Sequence, residues 1–320
     1  MDEFKRSCPL TIFQKSQFVK GTEISEEGCN ASVIRATIKG ESCIAKLYDY
    51  NETGWENEGE FLDDFLEICE TLVELKDSPC IIHAMGAVIY QKTDNIQLYL
   101  LTEDKGAQDL NSYIQLDEFW SSSRNYHTSP YYYYENYENV YWSYKKNKQE
   151  KLDLIRSMVK CVKDLHDKDF IHLDLKLHNM VITKDKQVYL IDYDSITWLE
   201  NQKTTSIYCR CGTSGYCADE QWELHASKKT DIYSLGVCMV EVWAGNIWED
   251  NYRDPKRYRN QLLSCIRNIE TQEPILGKIF RKCVSIQEKH RYQTNNLWRR
   301  INQDILINQD ILINDEQSSN

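Results

Sequence analysis

Two neighbouring stretches decide the fold: FIHLDLKLHN at residues 170–179 and VYLIDYDS at residues 188–195. In the first, charged and amide side chains follow an apolar pair and alternate with leucines. The residues between the two stretches predict a β-hairpin that turns at KDKQ, residues 184–187. Because a hairpin returns its second strand beside its first, we expect Asp192 to lie next to Asn179 and near Asp174.

The chemistry of these side chains suits a site that handles phosphate. An amide oxygen on Asn179 and a carboxylate on Asp192 are ligands that Mg²⁺ accepts alongside phosphate oxygens. Asp174 can accept or orient a hydroxyl proton, and Lys176 can neutralise charge on a transferred phosphoryl group. Any one of these residues alone would more often belong to a solvated turn, but the set favours a site.

The composition restricts the classes of function. The chain has 320 residues, 41% apolar and 28% charged, with a net charge of −12. Without a dense run of Lys and Arg, we expect neither nucleic acid nor an anionic membrane as the main partner. The sequence has no apolar window of membrane-spanning length and no secretory signal, which predicts a cytoplasmic or otherwise intracellular protein. Its twelve cysteines contain no C-x-x-C pair, which favours free thiols over zinc sites or disulfides.

The periodicity of apolar residues divides the chain into a strand-rich first part and a mostly helical remainder. NASVIRATIKG (30–40) and SCIAKLYDY (42–50) predict a hairpin with its turn at Lys39 and Gly40. GWENEGEFLDDFLEICETLVEL (54–75) predicts a long helix, with Asn51 or Thr53 as its N-terminal cap. KKTDIYSLGVCMVEVWAG (228–245) is so apolar after its start that it predicts a buried helix.

Two segments depart from this plan. Residues 117–149 hold eight tyrosines between positions 126 and 144 and predict a surface insert; a docking or phosphorylation surface for a protein partner is the alternative. The tail at 301–320 contains the repeat INQDILINQDILIN and predicts a weakly ordered extension. A β-prone aggregation segment is the alternative for the tail.

HLDLKLHN resembles the catalytic loop of eukaryotic-type protein kinases, His-Arg-Asp-Leu-Lys-x-x-Asn, and DYD at 192–194 stands where that family has Asp-Phe-Gly. Four further motifs resemble the family's and follow in its order: CIAK (43–46), GTSGYCADE (212–220), DIYSLGV (231–237) and KCVSIQEKHRYQT (282–294). The resemblance runs from about residue 20 to 300. It implies an α+β, bilobal fold and a kinase domain over 1–300: a small β-rich N-lobe with one main helix at about 1–101, a hinge at 102–105 and a helical C-lobe at 106–300.

The resemblance also implies an activity, transfer of the γ-phosphate of ATP to serine or threonine hydroxyls of proteins with Mg²⁺. Asp174 would be the catalytic base, Lys176 would contact the γ-phosphate, and Asn179 and Asp192 would bind Mg²⁺. Lys46 would hold the α- and β-phosphates. The position of Lys176 two residues after the aspartate is the Ser/Thr-kinase arrangement, with Thr213 in support. The remaining nucleotide contacts implied are Gly28 of the Gly-rich loop, Val33, Ala45 and Val181 at the adenine, Thr102 as gatekeeper, and Glu103 and Lys105 on the hinge.

Other implied roles are structural. Glu220 would pair with Arg291, and Asp231 would hold the backbone of the catalytic loop. The partner of Lys46 should lie on the inward face of the long helix. Glu58 is preferred because Phe61, Leu62 and Phe65 follow it at +3, +4 and +7. Glu67 is the alternative, since it lies nearer the usual distance from the following strand.

The sequence departs from the family pattern at several positions. In EEGCNASV (26–33) only Gly28 remains of the three loop glycines, and Glu26 would repel a triphosphate. Leu173 replaces the catalytic-loop Arg that pairs with a phosphorylated activation loop, which predicts activity without that switch. Asp194 and Asp219 replace a Gly and a Pro. Two alternatives to an active protein kinase therefore stay open: a pseudokinase or weakly active scaffold that binds a protein partner, and a kinase-fold enzyme with a small-molecule substrate.

Overall fold

The computed structural model describes residues 1–25, 32–52, 55–92, 95–115, 148–207, 211–245, 247 and 255–303. Gly28, nearly all of the tyrosine-rich insert and the tail from residue 304 lie outside these residues, so the expectations made for them stay predictions. The chain separates into two compact units, Met1–Ala107 and Gln108–Asn320. The division falls just after the segment 102–105 that the sequence predicts as a hinge.

The first unit is built on a six-stranded sheet. Its strands run in the spatial order β1-β5-β6-β4-β3-β2, and all neighbours are antiparallel except β1 and β5. Their bounds are β1 Ile12–Phe13, β2 Phe18–Ser25, β3 Val33–Ile38, β4 Glu41–Asp49, β5 Ala84–Lys92 and β6 Asn95–Glu103. Between β3 and β4, Lys39 and Gly40 have φ values of 51° and 86°. Two successive left-handed residues make the tight turn that twisted hairpins favour, so the predicted hairpin is confirmed.

The described residues of the first unit include two α-helices, α1 Asp2–Ser7 and α2 Glu58–Glu74. The side chain of Asn57 accepts a hydrogen bond of 3.0 Å from the backbone N–H of Glu60 and so caps α2. The predicted caps Asn51 and Thr53 were therefore wrong, because the helix begins at Glu58, four residues after the predicted start at residue 54; Thr53 itself lies outside the described residues. One face of α2 is buried, and Phe65 packs edge-on against Tyr48 of β4 with ring centroids 5.3 Å apart.

The second unit consists of helices with three short sheets. Its helices are α3 Leu110–Gln115, α4 Lys148–Asp167, α5 Asp219–Trp222, α6 Lys228–Ala244, α7 Pro255–Gln272 and α8 Pro274–Cys283, followed by helical residues at 294–303. Its strands are β7 Gln108–Asp109, β8 Phe170–Ile171, β9 Met180–Ile182, β10 Val188–Leu190, β11 Thr197–Trp198, β12 Thr205–Ser206 and β13 His225–Ala226. They pair as β10-β9-β7, β11-β8 and β12-β13. The two units together confirm the predicted α+β fold class.

Helix α6 forms the centre of the second unit, and residues 230–243 are all buried. A helix that is apolar on every side must be surrounded by protein, as the sequence predicted. Its start is fixed by reciprocal hydrogen bonds, in which Ser227 Oγ accepts from Lys229 N and Thr230 Oγ1 accepts from Ser227 N, each at 3.0 Å. Within the described residues, no helix is both long and apolar enough to cross a lipid bilayer.

Gly236 lets α6 approach the end of α8 closely. A Cβ atom at this position would lie 2.7 Å from Cys283 Cβ and 2.9 Å from Val284 Cγ1. We expect Gly236→Ala to lower the free energy of unfolding by about 1–3 kcal/mol, since the core has no room for another carbon. Urea denaturation followed by circular dichroism measures the change.

The matched control for this substitution is Gly59→Ala in the first turn of α2. There the added carbon meets only the side-chain oxygen of Asn57, at 3.1 Å. Because Ala favours helix by about 1 kcal/mol over Gly, this variant should be neutral or slightly stabilised. Equal urea midpoints for Gly236→Ala and the wild type would contradict the close packing described for α6.

Candidate active site

A buried carboxylate holds the loop that follows β8. Asp231, at the start of α6, is 0% exposed. Its Oδ2 accepts a hydrogen bond of 2.7 Å from the backbone N–H of His172, and its Oδ1 accepts one of 2.9 Å from that of Leu173. Leu173 has a φ of 65°, a left-handed conformation that non-glycine residues seldom adopt. The two hydrogen bonds stabilise this conformation and so set the course of the loop.

The same carboxylate has a third partner in His166 of α4, whose Nε2 lies 2.9 Å from Asp231 Oδ2. His166 Nδ1 in turn lies 2.6 Å from Thr294 Oγ1. Burial opposes ionisation of Asp231, but the hydrogen bond and charge of His166, with the contribution of His172, leave its pKa below the usual value. Asp231 is thus a stable anion inside the second unit.

Asp174 lies at the centre of a cluster of polar side chains. Lys176 Nζ donates to its Oδ2 at 3.0 Å, and the Thr213 hydroxyl donates to its Oδ1 at 2.7 Å. Asn179 Nδ2 donates to both the backbone oxygen and Oδ2 of Asp174, each at 2.9 Å. Lys176 Nζ also donates to Thr213 Oγ1 at 2.9 Å. The structure therefore brings together three residues that the sequence singled out, and Thr213 supports Lys176 as expected.

The hairpin β9–β10 returns the chain to this cluster. Met180 is paired with Leu190, and the next residue along, Ile191, donates its N–H to the backbone oxygen of Asn179 at 3.0 Å. Asp192 follows directly with a φ of 66° and a ψ of 79°. Sequence reasoning predicted this hairpin and the approach of Asp192 to Asn179, and the backbone pairing confirms both.

The donor set at Asn179 and Asp192 fits a hard cation that is shared with phosphate. Because the amide nitrogen of Asn179 donates to Asp174, its carbonyl oxygen points to the opposite side and is oriented as an acceptor. One amide oxygen and one carboxylate suit Mg²⁺, which keeps several non-protein oxygens. No group of three or more His, Cys, Asp or Glu with metal-binding geometry occurs among the residues that the structure describes.

Most of the predicted nucleotide contacts fall in the first unit, around β4. In the sheet, Val33 is the partner of Lys46, Ala45 of Leu101, Thr102 of Ile44 and Glu103 of Cys43. Ala45 is fully buried, and Lys46 Nζ lies 5.1 Å from the centroid of the Tyr48 ring. Lys105 forms an ion pair with Glu103. Of the two remaining contacts, Val181 is buried on β9 of the second unit, and Gly28 is not among the described residues.

The contacts of α2 bear on the partner of Lys46. Tyr50 contacts Phe61 and Tyr48 contacts Phe65, with centroids 5.7 and 5.3 Å apart, so α2 runs antiparallel to β4. Two residues back along β4 thus correspond to four residues forward along α2. Lys46, two residues before Tyr48, therefore lies opposite the helical turn that contains Cys69. Glu58 is the first residue of α2, exposed and roughly 16 Å from Cys69 along the helix axis. Glu67 lies only about 3 Å from Cys69 along the axis, but on the exposed side of the helix.

A family model described as the protein kinase domain matches residues 27–300. The chain belongs to the protein kinase family. This confirms the predicted fold and family.

Curated relatives of this chain match over short stretches. It is 38% identical over 92 residues to a membrane-associated tyrosine- and threonine-specific cdc2-inhibitory kinase of Drosophila melanogaster. It is 29% identical over 126 residues to the dual specificity protein kinase zak2 of Dictyostelium discoideum, and 35% identical over 100 residues to a PAS domain-containing serine/threonine-protein kinase of Mus musculus. These matches cover 28%, 35% and 31% of the chain but only 16%, 20% and 7% of the relatives.

The kinase motif GTSGYCADE is held by an ion pair. Arg291, which is buried, donates from Nη2 to Glu220 Oε2 at 3.0 Å and binds Oε1 through Nη1. It also donates to the backbone oxygens of Ser285, Lys229 and Ile286. All the donors of the guanidinium are therefore directed at fixed acceptors, and the expected pairing with Glu220 is present.

Sequence reasoning missed two residues that hold the loop after β8. Gln221 is buried, and its Nε2 donates to the backbone oxygen of Leu173 at 2.9 Å. His166 holds Asp231, as described. The signal for His166 was its place in the buried stripe of α4, four residues after Val162 and one after Leu165. Gln221 carried no comparable signal.

The side chain of Leu173 points into an apolar cluster. Leu173 is buried together with Ile171, Leu199, Ile207 and Ala226. In the kinase pattern this position carries an Arg, which needs an anionic partner. Here the loop is instead joined to the segment 199–207 by apolar packing.

We expect Asp231→Asn to lower the free energy of unfolding by about 1–3 kcal/mol at neutral pH, because an amide nitrogen would face backbone N–H donors. The pKa of Asp231 is lowered from its ordinary value of 3.8 in the folded protein. Its contribution to stability is therefore fully present above pH 3.8 and is lost as the pH falls through the lower folded value. Urea unfolding of both proteins across this range should show the difference shrinking in acid.

Asp167→Asn is the matched control, since Asp167 is exposed and pairs with Lys163 on the surface of α4. It should cost less than about 1 kcal/mol. A wild-type stability for Asp231→Asn at neutral pH would contradict the role assigned to this carboxylate.

Proposed function

We propose that this protein is an ATP-dependent protein kinase that phosphorylates serine and threonine side chains and uses Mg²⁺. The observation that carries the proposal is the fixed position of Asp174, whose two carboxylate oxygens are bound by Lys176, Thr213 and Asn179. The loop that presents Asp174 is itself held by Asp231. A carboxylate positioned in this way suits the orientation of a hydroxyl nucleophile.

Each polar group around Asp174 has a part in the proposed reaction. Asp174 accepts the hydrogen of the substrate hydroxyl and orients its oxygen toward the phosphate. Lys176, whose ammonium lies 3.0 Å from Asp174 Oδ2, stabilises negative charge on the transferred phosphoryl group. Asn179 and Asp192 would hold Mg²⁺, which when bound neutralises charge on the phosphates of ATP.

Binding of ATP is proposed for the residues around β4. Lys46 would bind the α- and β-phosphates, and Val33 and Ala45 would contact the base. Strand pairing supports this grouping, since Val33 opposes Lys46 and Thr102 opposes Ile44 on the neighbouring strand. The further contacts proposed are Thr102, Glu103 and Lys105 beside the base, Val181 as an apolar contact and Gly28 in the phosphate loop.

Specificity for serine and threonine is supported by one contact. Lys176 lies two residues after Asp174 and is bonded to Thr213, which belongs to the motif GTSGYCADE. The names of two relatives carry tyrosine-and-threonine or dual specificity, so the choice of hydroxyl needs a direct test. Docking of a protein partner on the insert at 117–149 stays a prediction.

The proposal is tested by incubating the full chain with Mg²⁺, radiolabelled ATP and a mixed peptide library. We expect phosphoserine and phosphothreonine in the products by mass spectrometry. Asp174→Asn should reduce the rate by about 10²–10⁴-fold, the usual contribution of a positioned acid or base. Asp185→Asn is the matched control, because Asp185 lies exposed in the β9–β10 turn and should leave the rate unchanged.

Two results would overturn parts of this assignment. Phosphotyrosine among the products would replace Ser/Thr specificity by dual specificity. The absence of transfer by the wild type, together with no thermal stabilisation at millimolar Mg·ATP, would favour the pseudokinase scaffold.

For the partner of Lys46, the register of α2 favours Glu67 over Glu58, the residue that its apolar stripe had favoured. We expect Glu67→Gln to lower kcat/KM for ATP by about tenfold, the effect of removing one charged partner worth about 1.4 kcal/mol. Glu58→Gln should remain close to the wild type. The reverse ranking in steady-state kinetics would restore Glu58 as the partner.

A further inference from the structure

The contact between helices α1 and α2 places two cysteines near each other. The rings of Phe4 and Phe65 lie 6.1 Å apart, and each of these residues is followed four positions later by a cysteine. Residues four apart share a helix face, so each cysteine lies one turn beyond its phenylalanine on the side where the two helices meet. The two thiols are close enough that each shifts the pKa of the other.

The two thiols differ in exposure and in role. Cys69 is buried, whereas Cys8 is half-buried at the end of α1, where its N–H still bonds to Phe4 O at 2.9 Å. The hydrogen bond from Cys69 lowers the pKa of Cys8 to about 7, with burial acting against it and the backbone of Leu10 assisting. The same hydrogen bond, together with burial, raises the pKa of Cys69. Cys8 is thus the thiolate of the pair and Cys69 the proton donor.

Buried cysteines elsewhere in the chain have the opposite character. Burial raises the pKa of Cys43 to about 11 and that of Cys217 to about 12. Thiols of this kind react slowly at neutral pH. A mild oxidant should therefore oxidise Cys8 faster than Cys43 or Cys217.

We propose that Cys8 and Cys69 form a reversible disulfide when the protein meets hydrogen peroxide, a modification that fastens α1 to α2. The inference does not depend on the proposed phosphoryl transfer. Its structural consequence is confined to the first unit, where the link would tie the chain before β1 to the second half of α2.

The chemistry proceeds in two steps. The Cys8 thiolate attacks one oxygen of the peroxide, so that an S–O bond forms, the O–O bond breaks and the leaving hydroxide takes up a proton as water. Cys69 then loses its proton and attacks Cys8 Sγ, so that the S–S bond forms and the S–O bond breaks with release of a second water. Overall, two thiols lose two electrons and two protons, and one peroxide is reduced to two waters.

The place of Cys8 at the end of a short helix favours this bond. The two sulfurs must approach to about 2.05 Å. Helix α1 has only six residues and Cys8 follows it in an extended conformation, with φ −63° and ψ 121°. The movement can therefore come from the α1 side, without displacement of α2 from the sheet.

The first arm of the test maps the disulfide in the full chain. The protein is titrated with peroxide, quenched with N-ethylmaleimide and digested with trypsin without reduction. Cys8 and Cys69 fall in separate tryptic peptides, 7–15 and 47–76, each of which contains one cysteine. We expect these two peptides to become linked before Cys43 is oxidised, and dithiothreitol to release them.

The second arm measures how much Cys69 increases the reactivity of the Cys8 thiol. In Cys69→Ala, the rate of Cys8 alkylation at pH 7 should fall about fivefold, because the loss of thiolate outweighs the gain in nucleophilicity. Under peroxide, Cys8 of this variant should accumulate as sulfenic acid that dimedone traps. Cys80→Ala, which removes another buried cysteine of the same unit, is the control and should behave as the wild type.

Three results would overturn the proposal: a peroxide-induced link from Cys8 to some other cysteine, no link at all, or an unchanged alkylation rate in Cys69→Ala. If Cys69→Ala fails to fold, the wild type decides on its own. In the wild type, the rate of Cys8 alkylation should then rise with pH with a midpoint near pH 7. A midpoint near 9.0, the ordinary pKa of a thiol, would refute the pairing.

Discussion

The second unit depends on one buried anion. The carboxylate of Asp231 accepts the backbone N–H groups of His172 and Leu173, and it does so from the first turn of a helix that is buried on all sides. An isolated charge in such a place would be costly, and the hydrogen bonds from the loop and from His166 are what make it tolerable. The loop cannot move without leaving this charge unsatisfied, so its conformation and the burial of α6 stabilise one another.

The positions of the side chains around Asp174 depend on the hydrogen bonds between Asp231 and the loop. Once the loop is fixed, Lys176 and Asn179 are held at set positions relative to Asp174, and the hairpin β9–β10 brings Asp192 to the same place. Thr213 reaches the cluster from the motif whose Glu220 is held by Arg291. Two buried charged groups, Asp231 beneath the loop and Arg291 beside Glu220, therefore support the polar groups that would face a phosphate. Pre-organisation of this kind is what charge stabilisation in a transition state requires.

Sequence patterns predicted the hairpins and helices that depend on neighbours in the chain, and they missed one local feature, the cap of α2, and contacts between distant residues. The hairpin at Lys39 and Gly40, the buried helix α6 and the approach of Asp192 to Asn179 all follow from local spacing. The cap at Asn57 was missed because an apolar stripe gives the face of a helix but not its first residue. For the same reason the stripe could not show which part of β4 faces Glu58 on α2. The ring contacts of Phe61 and Phe65 give this alignment of the helix with the strand. Gln221 was missed because nothing local distinguishes a glutamine whose partner is a backbone oxygen 48 positions away.

The apolar cluster around Leu173 gives the loop a different kind of control from a charged switch. An Arg at this position responds to a phosphate by an interaction that salt screens and a phosphatase removes. The contact of Leu173 with Leu199 and Ile207 depends neither on salt nor on a phosphatase, because it arises from the exclusion of water. Hydrophobic contacts weaken on cooling, so temperature, rather than the action of another enzyme, is the variable to which this junction responds.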